Sequence, residues 1–124
     1  MKIAVDGMGA DRGPSVIVDG VIQAARQYGH EIYIVGDQDI LSAELKKHKD
    51  VPAAIHIRHA SEQITMEDSP AAAIRKKKDS SIAVGVGMAR DKEVEAFVSP
   101  GNTGAVVCAA TLFWGLLHKV ERPA

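Results

Sequence analysis

Short runs rich in Ile and Val alternate with stretches of helical periodicity along this chain, and that alternation constrains the fold more than any other feature. Residues 2–5 form a β-type run closed by Asp6-Gly7. Gly13-Pro14 then opens a helix on which Ile17, Val21, Ala24, Ala25 and Tyr28 share one face, with Gly29 as its stop. Residues 31–35 read as a second strand ended by Gly36-Asp37, and residues 40–48 as a polar helix anchored by Leu41 and Leu45. Pro52 breaks the chain before a third strand over residues 54–58, where Ile55 and Ile57 alternate with His56 and Arg58. Ser69-Pro70 pairs an N-cap with proline at the first helical position and starts a helix towards Lys78. A further helix over residues 80–90 carries Ile82, Val86 and Ala89 on one face, Phe97 marks a fourth strand, and residues 106–117 form the last helical run. Strands separated by helices predict an α/β fold, a three-layer α/β/α sandwich around a parallel or mostly parallel sheet.

At 124 residues the chain suits one domain with a modest core, and its 46% hydrophobic and 25% charged residues lie in the globular range. Fifteen basic against sixteen acidic residues leave a net charge of −1, which gives no polycationic footprint for nucleic acid. The single cysteine, Cys108, sits in an apolar helical run and reads as a buried structural thiol in a reducing compartment. Acidic Asp6 and a glycine loop interrupt the N-terminal apolar run, so no signal peptide is expected, and a cytoplasmic location follows. Residues 104–117 are too short to span a bilayer and read as a buried core helix. Because that helix is apolar almost all round and a polar exit with Pro123 follows it, the sheet is expected to need further cover, as part of a larger unit.

Ligands of parallel α/β sheets bind beyond the carboxyl ends of the strands, which singles out three loops, residues 6–13, 59–68 and 99–105. In the third, Ser99, Gly101, Asn102, Thr103 and Gly104 form a glycine-bounded polar turn between a strand and a helix. Backbone N–H groups and small hydroxyls at a helix N-terminus favour an anion such as phosphate or a carboxylate. A plain strand-to-helix connection, capped by Asn102 or Thr103, explains the same residues. In the first loop, Asp6 and Asp11 flank Gly7 and Gly9, an arrangement able to hold a metal, orient a hydroxyl or accept a proton. It serves equally as a turn cap with a dipole-directed Asp11. In the second, His59 and Glu62, with Met66 and Asp68 nearby, offer a general acid or base or simply a surface loop. The five histidines are scattered, without metal-ligand spacing. Arg75-Lys76-Lys77-Lys78 is the basic cluster, either a solvated helix end or a docking patch for an acidic partner. Gly85-Val86-Gly87 is no dinucleotide fingerprint, because Arg90 stands at the third glycine position; helix packing is the expected use.

Taken in order, the motifs resemble the PlsX family of bacterial acyl-ACP:phosphate acyltransferases of phospholipid synthesis. The resemblance rests on Ile3-Ala4-Val5-Asp6 with Met8-Gly9 and Asp11, then Val35-Gly36-Asp37 and His59-Ala60-Ser61-Glu62. It continues through Met66, Asp68 and Pro70, the helix 75–78 running into Ser80-Ser81, then Phe97-Val98-Ser99, Gly101-Asn102-Thr103-Gly104-Ala105 and Arg122-Pro123-Ala124. Departures occur at Gly7, Ala10 and Pro100, the last removing an N–H donor from the proposed turn. The resemblance implies a Rossmann-like sheet similar to the isocitrate/isopropylmalate dehydrogenases, present here in incomplete form as residues 1–124, the N-terminal part of the domain. It also implies transfer of a fatty acyl group from acyl carrier protein to inorganic phosphate, with no cofactor, by homodimers that can associate peripherally with membrane.

On that basis Ser99, Gly101, Asn102, Thr103 and Gly104 are the expected phosphate cradle. Asp6, Asp11 and His59 would orient phosphate or move a proton, and Arg75, Lys77 and Lys78 would hold the acidic carrier protein. A phosphotransacetylase-like enzyme using acyl-CoA, and a non-catalytic remnant that binds phosphate or carrier protein, are the alternatives.

Overall fold

The computed structural model describes residues 1–123; Ala124, the last residue of the closing motif, lies outside them. Strands β1 (Lys2–Asp6), β2 (Glu31–Gly36), β3 (Ile55–His59) and β4 (Ala96–Val98) alternate with helices α1 (Pro14–Tyr28), α2 (Gln38–Lys46), α3 (Pro70–Lys76), α4 (Ser81–Arg90) and α5 (Thr103–Trp114). The strands form one parallel sheet in the order β3-β2-β1-β4. Helices α1 and α2 cover one face, where Val18, Val21, Ile22 and Leu41 bury Ile32 and Ile34. Helix α4 covers the other, with Met88 against Ala4 and Val35, while α3 and α5 pack beside it around Ile74, Ile82 and Val86. This is the expected three-layer α/β/α arrangement of an incomplete Rossmann-like domain.

Capping chemistry sets the helix ends. Pro14 stands in the first turn of α1, and Gly29 ends that helix in the left-handed region at φ 68°, donating its N–H to Ala25 O. The Asp37 carboxylate accepts from the Asp39 and Ile40 amides at 3.0 and 3.1 Å, so α2 starts at Gln38, ahead of the expected residue 40. Likewise Asn102 caps α5 through Ala105 N at 3.1 Å, which moves that helix three residues earlier than the apolar run suggests. Strands β1 and β2 each run one residue further than expected, and β3 is shifted by one, so Asp6, Gly36 and His59 are strand ends.

Two expectations about α5 need correction. It is not a buried core helix: Ala105 and Ala109 are buried, but Val107, Leu112 and Trp114 are exposed. The small residues, four apart, allow close packing on α3 and α4 and turn the bulky side chains outward. A β-carbon on Gly104 would stand 2.6 Å from Pro70 Cγ, so the first turn of α5 crosses α3 at close quarters. Cys108 is likewise only half-buried.

On the far side of the sheet, β4 pairs with β1 alone among the described residues, and Val98 is 54% exposed. Beside it, Val5, Val16, Val21 and Val98 border an apolar depression of about 290 Å³.

The paired glycines of α4 differ in role. A β-carbon at Gly85 would collide with the Phe97 ring, whereas one at Gly87 would meet nothing within 4 Å. Gly85→Ala is therefore expected to lower unfolding free energy by about 1–3 kcal/mol through overpacking. Gly87→Ala should be neutral or stabilising by up to ~1 kcal/mol through helix propensity. Urea titration of both variants checks the contrast.

Candidate active site

Because β1 and β4 are neighbours, the loops that follow them meet. Asp6, 1% exposed at the end of β1, holds this junction together. Its Oδ1 accepts the Met8 amide at 3.0 Å and its Oδ2 accepts the Ser99 hydroxyl at 2.8 Å. Ser99 Oγ in turn accepts the Gly101 amide at 3.1 Å. Charge-assisted bonds of this kind hold a buried carboxylate whose desolvation would otherwise oppose the fold. Gly9 and Gly101 lie against each other over this carboxylate: a β-carbon on Gly9 would stand 2.6 Å from Asp6 Oδ2 and 2.9 Å from Gly101 N. Here glycine is required for the close approach of two backbones.

The loop between β3 and α3 crosses over to complete the site. Gln63 donates through Nε2 to Met8 O at 2.8 Å, and Asn102 Nδ2 donates to Thr65 O and Asp68 O at 3.0 and 3.2 Å. Buried Asn102 thus caps α5 with its oxygen and fastens the crossing loop with its nitrogen. Lys77 ties the same loop from outside, donating to Gln63 O and Asp68 Oδ2, each at 2.8 Å. Between the three loops lies a cleft of about 240 Å³, walled by residues 8–11, 63–67, 101 and 102. The exposed Asp11 lines it. The amides of Thr103 and Gly104, in the first turn of α5, have no acceptor among the described residues.

The structure thus gathers Asp6, Asp11, Ser99, Gly101 and Asn102 at one rim, with Thr103 and Gly104 following in α5. His59 stands elsewhere, at the end of β3 and two strands from Asp6, about 10 Å across the sheet. Its Nδ1 accepts the Gln38 amide at 3.1 Å, satisfying an orphan donor in the first turn of α2, and it does not line the cleft. The basic cluster also divides. Arg75 and Lys78 are exposed, but Lys77 is committed to the crossing loop and is not free to dock a partner. Gln63 and Thr65 were not singled out from the sequence, since a polar side chain in an irregular loop carries no periodic signal. Among the described residues no three His, Cys, Asp or Glu side chains converge as a metal site would require. No described helix is long and apolar enough to cross a membrane.

The sequence has relatives. A family model described as "Fatty acid synthesis protein" matches residues 1–124. The chain belongs to this family. It is 40% identical over 124 residues to a phosphate acyltransferase of Alkaliphilus oremlandii, covering 100% of this chain and 37% of the relative. A phosphate acyltransferase of Geotalea daltonii is 42% identical, with 100% and 36% covered, and one of Syntrophomonas wolfei is 44% identical, with 99% and 39% covered. The chain therefore spans little more than a third of the length of these curated relatives.

The Lys77 and Thr65 contacts hold the Asp68 carboxyl below its ordinary value of 3.8, the Lys77 hydrogen bond contributing most and the Thr65 amide next. A carboxyl depressed in the folded state stabilises above its unfolded pKa, and that contribution fades as pH falls through the folded one. Asp68→Asn should thus be less stable than the parent chain at pH 6, and the gap should close as pH falls from 3.8, the ordinary value, through the lowered one. Denaturant titrations of both proteins across that range measure it.

Proposed function

We propose that this chain carries the phosphate-handling part of an acyltransferase that moves a fatty acyl group from acyl carrier protein to inorganic phosphate. The observation that supports this most directly is the Asp6–Ser99–Gly101 junction, which holds a glycine-walled cleft at the start of α5. The family match and the phosphate acyltransferase names of the relatives support the same reading.

The reaction requires a phosphate oxygen to attack a thioester carbonyl. The C–S bond breaks as the C–O bond forms, and the proton lost by phosphate ends on the departing thiol. Donors for the anion would be the Thr103 and Gly104 amides, which have no acceptor among the described residues, the Thr103 hydroxyl and the dipole of α5. Carboxylates beside a phosphate site repel a fully ionised guest, so Asp11 is suited to a phosphate that keeps a proton and donates it. Asp11 would then accept that proton during attack. Asp6 is too deeply buried for this role as it stands. It positions Ser99 and the Gly9 backbone, and Ser99 orients Gly101. Preorganisation of this kind places reacting atoms before the barrier is climbed. Arg75 and Lys78, on the exposed side of α3 and just beyond it, are the cations proposed to meet the acidic carrier protein.

The test is hydroxylamine trapping of acyl phosphate made from palmitoyl-ACP with and without phosphate. Phosphate-dependent product is expected, reduced about 10²-fold or more in kcat by Asp11→Asn. Ser99→Ala should lower both turnover and phosphate affinity, whereas His59→Ala should leave turnover unchanged because that imidazole serves α2. Product from acyl-CoA but not from acyl-ACP would favour a phosphotransacetylase-like donor. Phosphate binding without product from either would favour a non-catalytic binding role.

A further inference from the structure

The crossing loop is gripped from behind by the short connector between α3 and α4, residues 77–80. Asp79 accepts the Ser61 hydroxyl and amide at 2.6 and 2.9 Å, and its own amide donates to Glu62 Oε1 at 3.1 Å. Backbone bonds from Glu62 N to Asp79 O and from Ser81 N to Glu62 O pair the two segments as a parallel bridge. All of these end on residues 61 and 62, ahead of the stretch 63–67 that walls the cleft. Lys77 is different. Its ammonium donates to Gln63 O, on the first residue of that wall, and to the Asp68 carboxylate, just past its last. One side chain thus staples both ends of the wall while standing outside the cleft.

Asp68 carries the staple to the start of α5. Lys77 holds its carboxylate, which also accepts the Thr65 amide at 2.8 Å, and Asn102 Nδ2 holds its carbonyl at 3.2 Å. Asn102 caps α5 through Ala105 N, so the path from Lys77 to the first turn of that helix runs through a single loop residue. An exposed ion pair contributes little by itself. Here, however, one ammonium serves two acceptors at opposite ends of the wall, so losing it frees both ends together.

We infer that Lys77 is a positioning residue for phosphate, setting the width of the cleft and the seat of the α5 cap without touching the anion. This rests on the phosphate cleft proposed above. It gives Lys77 a part in that site different from the docking of an acidic partner by Arg75 and Lys78.

Isothermal titration of inorganic phosphate into this chain tests the assignment with no acyl donor present. Absence of acyl transfer in the parent would therefore count against the function proposed above and not against Lys77. Lys77→Met keeps the apolar stem, removes the charge, and should weaken phosphate binding about tenfold or more. Lys77→Arg can still donate to both acceptors and should stay within about threefold of the parent. Lys76→Met is the control: that side chain is exposed and forms no ion pair among the described residues, so affinity should be unchanged. A purely structural role would lower the folded fraction, and with it the apparent stoichiometry, while the folded molecules bound phosphate as the parent does. Hydrogen exchange at the Thr65 and Asp68 amides reads the loop directly, and protection should fall in Lys77→Met and return in Lys77→Arg. Asp68→Asn weakens the staple from its other end and carries the test if Lys77→Met does not fold. It should reduce phosphate affinity in the same direction, and the double variant should bind within about twofold of the weaker single one. Equal phosphate affinity in the parent and Lys77→Met, an equal loss in Lys76→Met, or additive losses in the double variant would each overturn the assignment. Unaltered loop protection in Lys77→Met would overturn it without reference to phosphate.

Discussion

The hydrogen bond from Ser99 to buried Asp6 joins the loops that follow the neighbouring strands β1 and β4, and most of the site depends on it. A carboxylate at 1% exposure is tolerated only with its oxygens engaged, and the partners it recruits are the backbone after β1 and the side chain after β4. Satisfying that one charge fixes where the two loops sit relative to each other. The glycines at positions 9 and 101 then let the backbones close over it. The cleft is what remains between these closed loops and the crossing segment of residues 63–67.

That crossing segment has no regular secondary structure of its own and borrows its shape from its neighbours. Asn102 holds it from the α5 side, Gln63 from the β1 side and Lys77 from α3. Most of these contacts end on a backbone carbonyl and so fix the path of the chain, while Lys77 also donates to the Asp68 carboxylate. The Asp79 carboxylate plays a similar part nearby. It accepts both the hydroxyl and the amide of Ser61, and these bonds, with the nearby His59, hold it below the ordinary carboxylate range.

Much of this was legible in the residues themselves. Strand and helix alternation anticipates the layers, and Pro14, Gly29, Asn102 and Ser80 mark ends where the caps are found. Loop convergence was legible only in part, because strand order decides it. Placing β4 beside β1 unites Asp6 with Ser99, while β2 between β1 and β3 keeps His59 away. Lys77 illustrates the other difficulty. Within Arg75-Lys76-Lys77-Lys78 all four residues look alike as a run of charge, yet the chain leaving the end of α3 turns Lys77 towards Asp68 and leaves Arg75 and Lys78 exposed. For α5, periodicity could not say which side would be buried, since nearly every position is apolar. Small size at Ala105 and Ala109, not hydrophobicity, selects the packed face.

Among the described residues, strand β4 contributes three residues to the sheet and bonds to one neighbour, with Val98 half in solvent. Segments with few contacts and open backbone are where native proteins first come apart. The loop bearing Ser99 and Gly101 is thus mounted on the least secured strand, while its partner Asp6 is rooted in a strand paired on both sides. Any body laid along the free side of β4 would stiffen one jaw of the cleft without touching its contents. Affinity at the site could then be set remotely, by whatever damps the breathing of a single short strand.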